Sequence, residues 1–537
     1  MKKIALLLAL VMIIGVLPTM AVGEDYVTLT YYNMDGTNNV WLDNPVGKAF
    51  ADATGVILDS TYPVASTGDG GEDVAMMIAE GEYPDLIYAK GEATNLYEAG
   101  AYIDMRPLIE EYGPNIKKMY GDEFEKLAWS QEDNGIYQLC AYGVRGQTLT
   151  TGGSVQIQYA AIKDNGYQYP KTIEEFEKCI KDYLAAHPKT DDGLDMIGIT
   201  MSASDWHWMI TLGNPAGFVA DASDDHGQWV VDDDYNVIYK HTTEEEKEYF
   251  RWVNRMFNEG ILDNSFATQT DEDYMAKVAS GRVVALTDAW WHYSQAVSVL
   301  KADNKLAQTY FPLPVTLRAD QKCPILRYQG LQVGWGIGIT KSCKDPVKAI
   351  QFLDFICSDE GQMLFNWGIE GVNYEMVNGK PVRSAEEIAK ANSDPDYAKN
   401  TGIENYPGFP RYGEGSVNEN GVSYTRYTKE SVVAEYDEQQ KEACAALGIE
   451  ALTDIFPQPD EFELRPFSPI WAYQKPQELQ DMETVLNDIA QKQLVKCVMC
   501  SEADFDATWD AFQKDLADNG VEECQKQYTE WLATKIM

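Results

Sequence analysis

An α/β chain is expected from three observations. Between Tyr26 and Ala89 the residues alternate strand, helix, strand, helix, strand, the order that builds a mostly parallel sheet. A similar alternation of strand and helix restarts near Gly153. It appears again in Gly330–Tyr374, where Val333, Trp335, Ile337 and Ile339 alternate with Gly and Thr before two helices.

In the first region Tyr26–Tyr32 is the opening strand, Val46–Ala53 a helix, and Gly55–Leu58 the start of a second strand. A helix around Asp73–Ala79 and the strand Leu86–Ala89 follow. Ligands of parallel sheets sit beyond the carboxyl ends of the strands. That rule marks the loops 33–38 and 90–92, and with them Asp35, Asn38 and Glu92. In the second region Thr172 with Glu175 three residues later reads as a capping box. Trp229–Val231 and Val237–Tyr239 read as a hairpin around Asp232–Asn236. Residues 249–266 hold an amphipathic helix stopped at Gly260, and 275–291 run helix, Gly281, strand and loop. In the third region Asp345 caps a helix with Pro346 at its first position, and Ser358 starts another with Asp359 and Glu360 against its dipole. Gly368 ends it, and Glu370, Asn373 and Tyr374 follow just after Trp367. Residues 381–435 are polar and without helical period over much of their length. Pro466–Tyr473 precedes a long helix, and 505–531 close the chain as a helix pair with Asn519 and Gly520 between.

Residues 1–23 stand apart. Lys2 and Lys3 precede the apolar run Ile4–Leu17, and Pro18, Thr19 and Ala21 lead to a polar start at Glu24, the pattern of a secretory signal peptide. No Cys precedes Cys140, so the leader shows no site for a lipid anchor. The formal charge is -42, from 85 acidic and 43 basic residues. A surface this negative excludes nucleic acid and an electrostatic hold on anionic lipid. The 13 Trp and 32 Tyr supply flat faces of the kind that stack on sugar rings.

Familiar chemistry is missing from the sequence. The five histidines never form HExxH or a close pair, Gly334, Gly336 and Gly338 are not a dinucleotide fingerprint, and no P-loop or GxSxG occurs. Asp232, Asp234 and Asn236 begin like a calcium loop, but Val237 replaces its Gly and Thr243 its Glu, so a hairpin turn is expected. Residues 189–195 (KTDDGLD) are the other place for calcium and lack most of the ligands, so no metal and no cofactor are expected. Nine cysteines are an odd number for an exported chain. Cys497 and Cys500 are read as the end of a buried strand before a helix, and an organism living without oxygen would keep such thiols reduced.

The segment KDPVKAIQFLDFICSDEGQMLFNWGIEGVNY followed by NGKPV resembles the extracellular solute-binding proteins of family 1, exported receptors that feed sugars to ATP-driven (ABC) importers. NPVGKAFADATGV, MMIAEGEYPDLIYA and YEAGAYIDM resemble earlier segments of the same family, and the likeness is weakest over 400–460. It implies a periplasmic-binding-protein-like fold of type II, with the ligand cleft between the lobes. Lobe one would be 24–152 with 311–372, and lobe two 153–310 with 373–537, where 381–460 is an insertion or subdomain. The family ends one lobe-two strand with aromatic residues that contact ligand, and Trp290 and Trp291 match it. Trp206 and Trp208, flanking His207, are placed on the other wall of the cleft if extended, and Trp471 is a cleft residue by position. Trp335, Trp367, Glu370 and Tyr374 belong to the late segment and its G-x-E-G-x-x-Y turn. Asp288 and Glu370 are read either as acceptors for sugar hydroxyls or as a glycosidase acid pair.

The expected function is therefore capture of a sugar or oligosaccharide by a monomer, outside the cell or at its envelope, and delivery to ABC permease subunits, with no catalytic residue. An exported glycoside hydrolase, or the same fold taking a peptide or another solute, are the alternatives.

Overall fold

The computed structural model describes residues 26–34, 44–63, 70–146, 149, 151, 153–213, 227–328, 330–394, 396–405, 408–463, 465–467, 470, 473 and 475–536. The leader, Asp35, Asn38 and Trp471 lie outside them.

Lobe one is built on a five-stranded sheet. In chain order its strands are β1 (Val27–Asn33), β2 (Val56–Thr61), β3 (Leu86–Tyr88), β4 (Leu139–Cys140) and a late strand, Gly336–Ile339; their order across the sheet is β2, β1, β3, the late strand, β4. β1 pairs parallel with β2 and β3, while the late strand runs antiparallel to β3 and β4. The first helix, Pro45–Thr54, begins where Asn44 accepts a hydrogen bond from the Gly47 amide at 2.7 Å, and ends at Gly55 in the left-handed region. Val46, Phe50 and Ala51 of its inner face are buried with Leu29 and Leu58. The two late helices, Pro346–Cys357 and Asp359–Trp367, start at the caps expected for them, Asp345 and Ser358. They bury Ile350, Leu353, Ile356 and Phe365 in the same core.

Lobe two is built on a four-stranded sheet. Its strands are β5 (Gly153–Gln158), β6 (Ile197–Thr200), then, after the hairpin β7 (Trp229–Val231) and β8 (Val237–Tyr239), β9 (Val283–Ala289) and β10 (Tyr310–Leu313), in the order β10, β5, β9, β6. The late strand of lobe one is β11. β9 is parallel to β6 and antiparallel to β5. Helices Ile173–Ala186, Glu244–Asn258, Gln477–Met499, Phe505–Asp518 and Val521–Ala533 share its core. Thr172 caps the first of these, but the Glu175 carboxylate reaches back to the Lys171 amide, one residue earlier than a capping box requires. Asp232 accepts the Asp234 and Asn236 amides at 3.0 and 2.8 Å, so the calcium-like loop is a hydrogen-bonded hairpin turn.

Four expectations change. Phe311 does not return to lobe one: β10 pairs with β5, Val315 and Leu317 stay in the lobe-two core, and the lobe-one core resumes at Leu331. The next crossing is not near Asn373. Tyr397, Ile403, Phe409, Tyr412 and Tyr424 are buried in lobe one, and Tyr436 is the first later residue in the core of lobe two. Residues 375–424 thus cover lobe one, held by single aromatic anchors, which leave no periodic signature. Phe409 stacks on Tyr31 of β1 at 5.8 Å. Trp290 and Trp291 are not in a loop but open the helix Trp290–Ala302. Cys497 lies at the end of the helix Gln477–Met499, not in a strand. All nine cysteines are free; eight are buried and Cys500 is half-buried. Burial pushes the thiols up, Cys140 to about 11 and Cys497 to about 12.

The two sheets join at one edge each. β1, β3 and β4 end on the same edge of their sheet, where β11 begins. β6, β9 and β10 end on one edge of the other, where β5 begins. The chain passes from β4 to β5 and from β10 to β11, so both crossings connect these carboxyl edges. At the far end of the chain Lys535 returns to lobe one, donating to the Trp129 carbonyl, with its ammonium over the Trp129 and Trp531 rings.

Candidate ligand-binding cleft

On the lobe-one edge, Trp335 stands immediately before β11, where the chain leaves its crossing. Lys90, just past β3, places its ammonium 4.9 Å from the centre of the Trp335 ring. The Lys90 backbone has φ 44°, a left-handed turn that a lysine adopts only under local constraint. Tyr142, two residues past β4, meets Trp335 edge-on at 6.2 Å, and the Arg411 guanidinium lies 4.7 Å over the Tyr142 ring. Tyr88 and Tyr142 bring their hydroxyls to 3.3 Å. Glu92 begins the short helix Ala93–Glu98 and accepts from the Asn95 amide side chain at 2.7 Å. Three strand ends thus place an indole, two phenols and the Lys90 ammonium together, and the distant Arg411 adds a second cation.

The lobe-two edge carries a column of rings. Trp291 and Trp206 lie 5.9 Å apart with planes 10° from parallel. Trp206 stacks on His207 at 4.1 Å, His207 on His292 at 4.4 Å, and His292 on Tyr274 at 5.3 Å. The column runs from solvent to core: Trp291 is 57% exposed, Trp206 51%, and Tyr274 fully buried. Trp290, also exposed, turns its ring edge-on to Tyr293 at 5.3 Å. The segment after β6 and the helix after β9 supply the outer members because those strands are parallel neighbours and end together.

Carboxylates hold the column from beneath. Asp288, at the end of β9, accepts from Tyr274 Oη at 2.7 Å and from its neighbour's amide, Ala289 N, at 2.7 Å. His292 Nδ1 lies 2.9 Å from Asp288 Oδ2, and its Nε2 lies 2.7 Å from Asp271 Oδ1. His207 Nδ1 lies 2.8 Å from Asp205 Oδ1. Burial alone would lower the His292 pKa; Asp288 and then Asp271 outweigh it and push it up to about 8.

The expected site residues therefore divide. Trp290 and Trp291 share one wall with Trp206, which the sequence places on the opposite one, and Glu92 and Trp335 occupy the other edge. Trp208 is not on the wall: the chain turns rather than running extended, and its ring is buried 6.2 Å from His241. Asp288 is buried, with its oxygens taken by Tyr274, His292 and an amide, so it supports the wall rather than facing a ligand. Trp367, Glu370 and Tyr374 form a separate group. Trp367 donates to the Ser423 carbonyl at 3.1 Å and packs at 5.8 Å from Tyr374, both buried under the 375–424 cover, while Glu370 is exposed. Asp288 and Glu370 thus sit on different elements of different lobes, the one buried and the other exposed. Sequence reasoning marked the 90–92 loop that holds Lys90 but missed Tyr142, Arg411, His207 and His292. Tyr142 follows a strand end and was accessible to the topological rule. Arg411 and the histidine pair come from distant segments with no local pattern.

Residues 46–390 match the family described as bacterial extracellular solute-binding protein. The chain belongs to that family. Among curated relatives of this solute-binding protein, lipoprotein LipO of Bacillus subtilis (strain 168) is 22% identical over 63% of the chain and 65% of its own length. The fructooligosaccharide ABC transporter substrate-binding protein FusA of Streptococcus pneumoniae serotype 4 is 24% identical over 42% of each chain. The chain thus matches less than two thirds of these relatives' lengths. A solved structure, the HMO-binding, ABC-transporter-associated solute-binding protein of Bifidobacterium longum infantis, superposes with a TM-score of 0.69 at 14% identity, covering 95% of this chain and 99% of its own. This likeness shows the two-lobed solute-binding fold. Among the described residues no helix is long and apolar enough to cross a membrane.

Proposed function

We propose that this solute-binding protein captures a sugar or short oligosaccharide between its lobes and presents it to the permease subunits of an ABC importer. The observation that carries the reading is the exposed, near-parallel Trp206–Trp291 pair at the carboxyl edge of lobe two. Trp291, the outermost ring of the column, offers an apolar face to a sugar ring beside the exposed edge of Trp206, and the Lys90, Glu92 and Arg411 side chains across the crossings offer polar groups for hydroxyls. Closure about the crossings makes the state that the permease recognises, and the ligand shifts the population towards it. The names of FusA and of the HMO-binding protein support the sugar class. No step in this cycle makes or breaks a bond. The protein acts as an exported monomer, released from or held at the envelope after loss of residues 1–23.

The test is thermal unfolding of residues 24–537 against mono- and oligosaccharides, with product analysis of every hit. A ligand at a hundred times its dissociation constant adds about 2.7 kcal/mol, a rise in melting temperature of several degrees at most. A rise with the sugar recovered intact is the expected result. A rise with cleaved sugar sinks the receptor reading, and a response to peptides alone moves the solute class.

A further inference from the structure

We propose that His207, Asp271 and His292 form a binding site for a divalent transition cation of the zinc class, reached from the cleft side of lobe two. One ligand atom from each of the three residues lies within 4.8 Å of the others. In each ring Nδ1 is already committed to a carboxylate, so Nε2 is the nitrogen left for a cation, and in His292 it now faces Asp271. His207 Nδ1 is held by Asp205 at 2.8 Å, and His292 Nδ1 by Asp288 at 2.9 Å. A carboxylate behind each imidazole fixes its orientation and raises the basicity of the nitrogen that faces the metal, the outer-shell arrangement typical of metal-bound histidine. Asp288 is itself fixed by Tyr274 and the Ala289 amide.

The chemistry of the donors selects the cation. Two imidazoles and one carboxylate suit zinc and its neighbours rather than calcium or magnesium, which take oxygen ligands. Bonds of about 2.0–2.1 Å in a tetrahedron place ligand atoms about 3.3 Å apart. The His292 Nε2 to Asp271 Oδ1 distance of 2.7 Å therefore opens slightly, and the His207 ring, stacked on His292 at 4.4 Å, tilts out of that stack to aim its nitrogen at the ion. Entry is open, since the Asp271 side chain is 40% exposed while the imidazoles are 12% and 4% exposed. The proton now shared between His292 Nε2 and Asp271 leaves to solvent as the cation takes its place. Three protein ligands leave a fourth position for water or for a group of the bound solute. The three residues come from the segment after β6, the first turn of the helix Asp271–Ala279 and the helix after β9, so only the folded lobe assembles the site.

The test does not depend on any sugar. Residues 24–537, stripped with chelator, are titrated with cobalt(II) and followed by visible absorption, then with zinc(II) in competition. The expected result is one equivalent of cobalt with the intense bands of four- or five-coordination, displaced by zinc. His207→Phe, which keeps the ring stack, and Asp271→Asn should each weaken uptake at least tenfold, while circular dichroism shows the folded state retained. The absence of a stoichiometric cobalt spectrum overturns the proposal, as does uptake equal in both variants and the parent. Sugar binding measured on the same variants is a separate reading, so failure of the cation site and failure of the receptor function are told apart.

Discussion

At the scale of single residues, the indole faces carry the largest expected effects. Trp291→Ala removes one exposed member of the ring column and should weaken the solute by about tenfold to a hundredfold, or about 1.4–2.8 kcal/mol. Because Trp291 is 57% exposed, the unfolding temperature of the unliganded protein should stay unchanged. Calorimetric titration against the best sugar of the thermal screen checks the first statement and a melting curve the second. Part of this wall was legible beforehand. Trp290 and Trp291 follow from a strand end and a family likeness, whereas Trp206 is expected on the opposite wall and instead stacks on Trp291. Trp208 was nominated by the same spacing and is buried, because two residues of spacing put both rings on one face only if the chain is extended. A turn beginning at Asp205, whose carboxylate accepts the His207 amide at 2.9 Å, reversed that parity.

Elements were legible wherever caps and periodicity acted locally. Asp345, Ser358 and Gly368 begin or end helices as read, since each acts through its own neighbouring backbone. The cover of lobe one by residues 375–424 was not legible, since its order comes from isolated anchors pressing on a distant sheet. Gly408 shows how close that contact is. It has φ 92°, and a Cβ there would lie 2.6 Å from Tyr31 Oη and 2.7 Å from Tyr88 Cγ. Gly408→Ala adds a left-handed penalty to a clash with two strands and should cost about 2–4 kcal/mol. Urea unfolding checks it, and an unchanged midpoint would mean that the cover is not fastened at this point. Tyr88 also reaches Tyr142 of the candidate wall, so the same variant should reduce sugar affinity.

The whole molecule is crossed by its chain three times and fastened once more by its C-terminal residues. Lys535 is the charged part of that last fastening. Burial drops its ammonium from 10.5 to about 8, opposed only by Asp133. Below pH 8 the amine is charged in both folded and unfolded states. Between pH 8 and 10.5 the folded chain releases the proton that the unfolded chain retains, so stability rises with pH across that window. Lys535→Met should abolish the rise. The stability difference between parent and variant, from denaturant midpoints at pH 7.5 to 10.5, is expected to grow in favour of the parent as pH rises; a constant difference would refute it. The thiols have a consequence at this scale too. With eight of nine buried and their thiolates disfavoured, the folded protein is chemically quiet towards oxidants. Each global opening exposes nine nucleophiles together, and any cross-link formed then has no partner in the packed cores. The working lifetime of each molecule is therefore set by how rarely it opens, and a bound solute, by making that event rarer, acts as a preservative as well as a cargo.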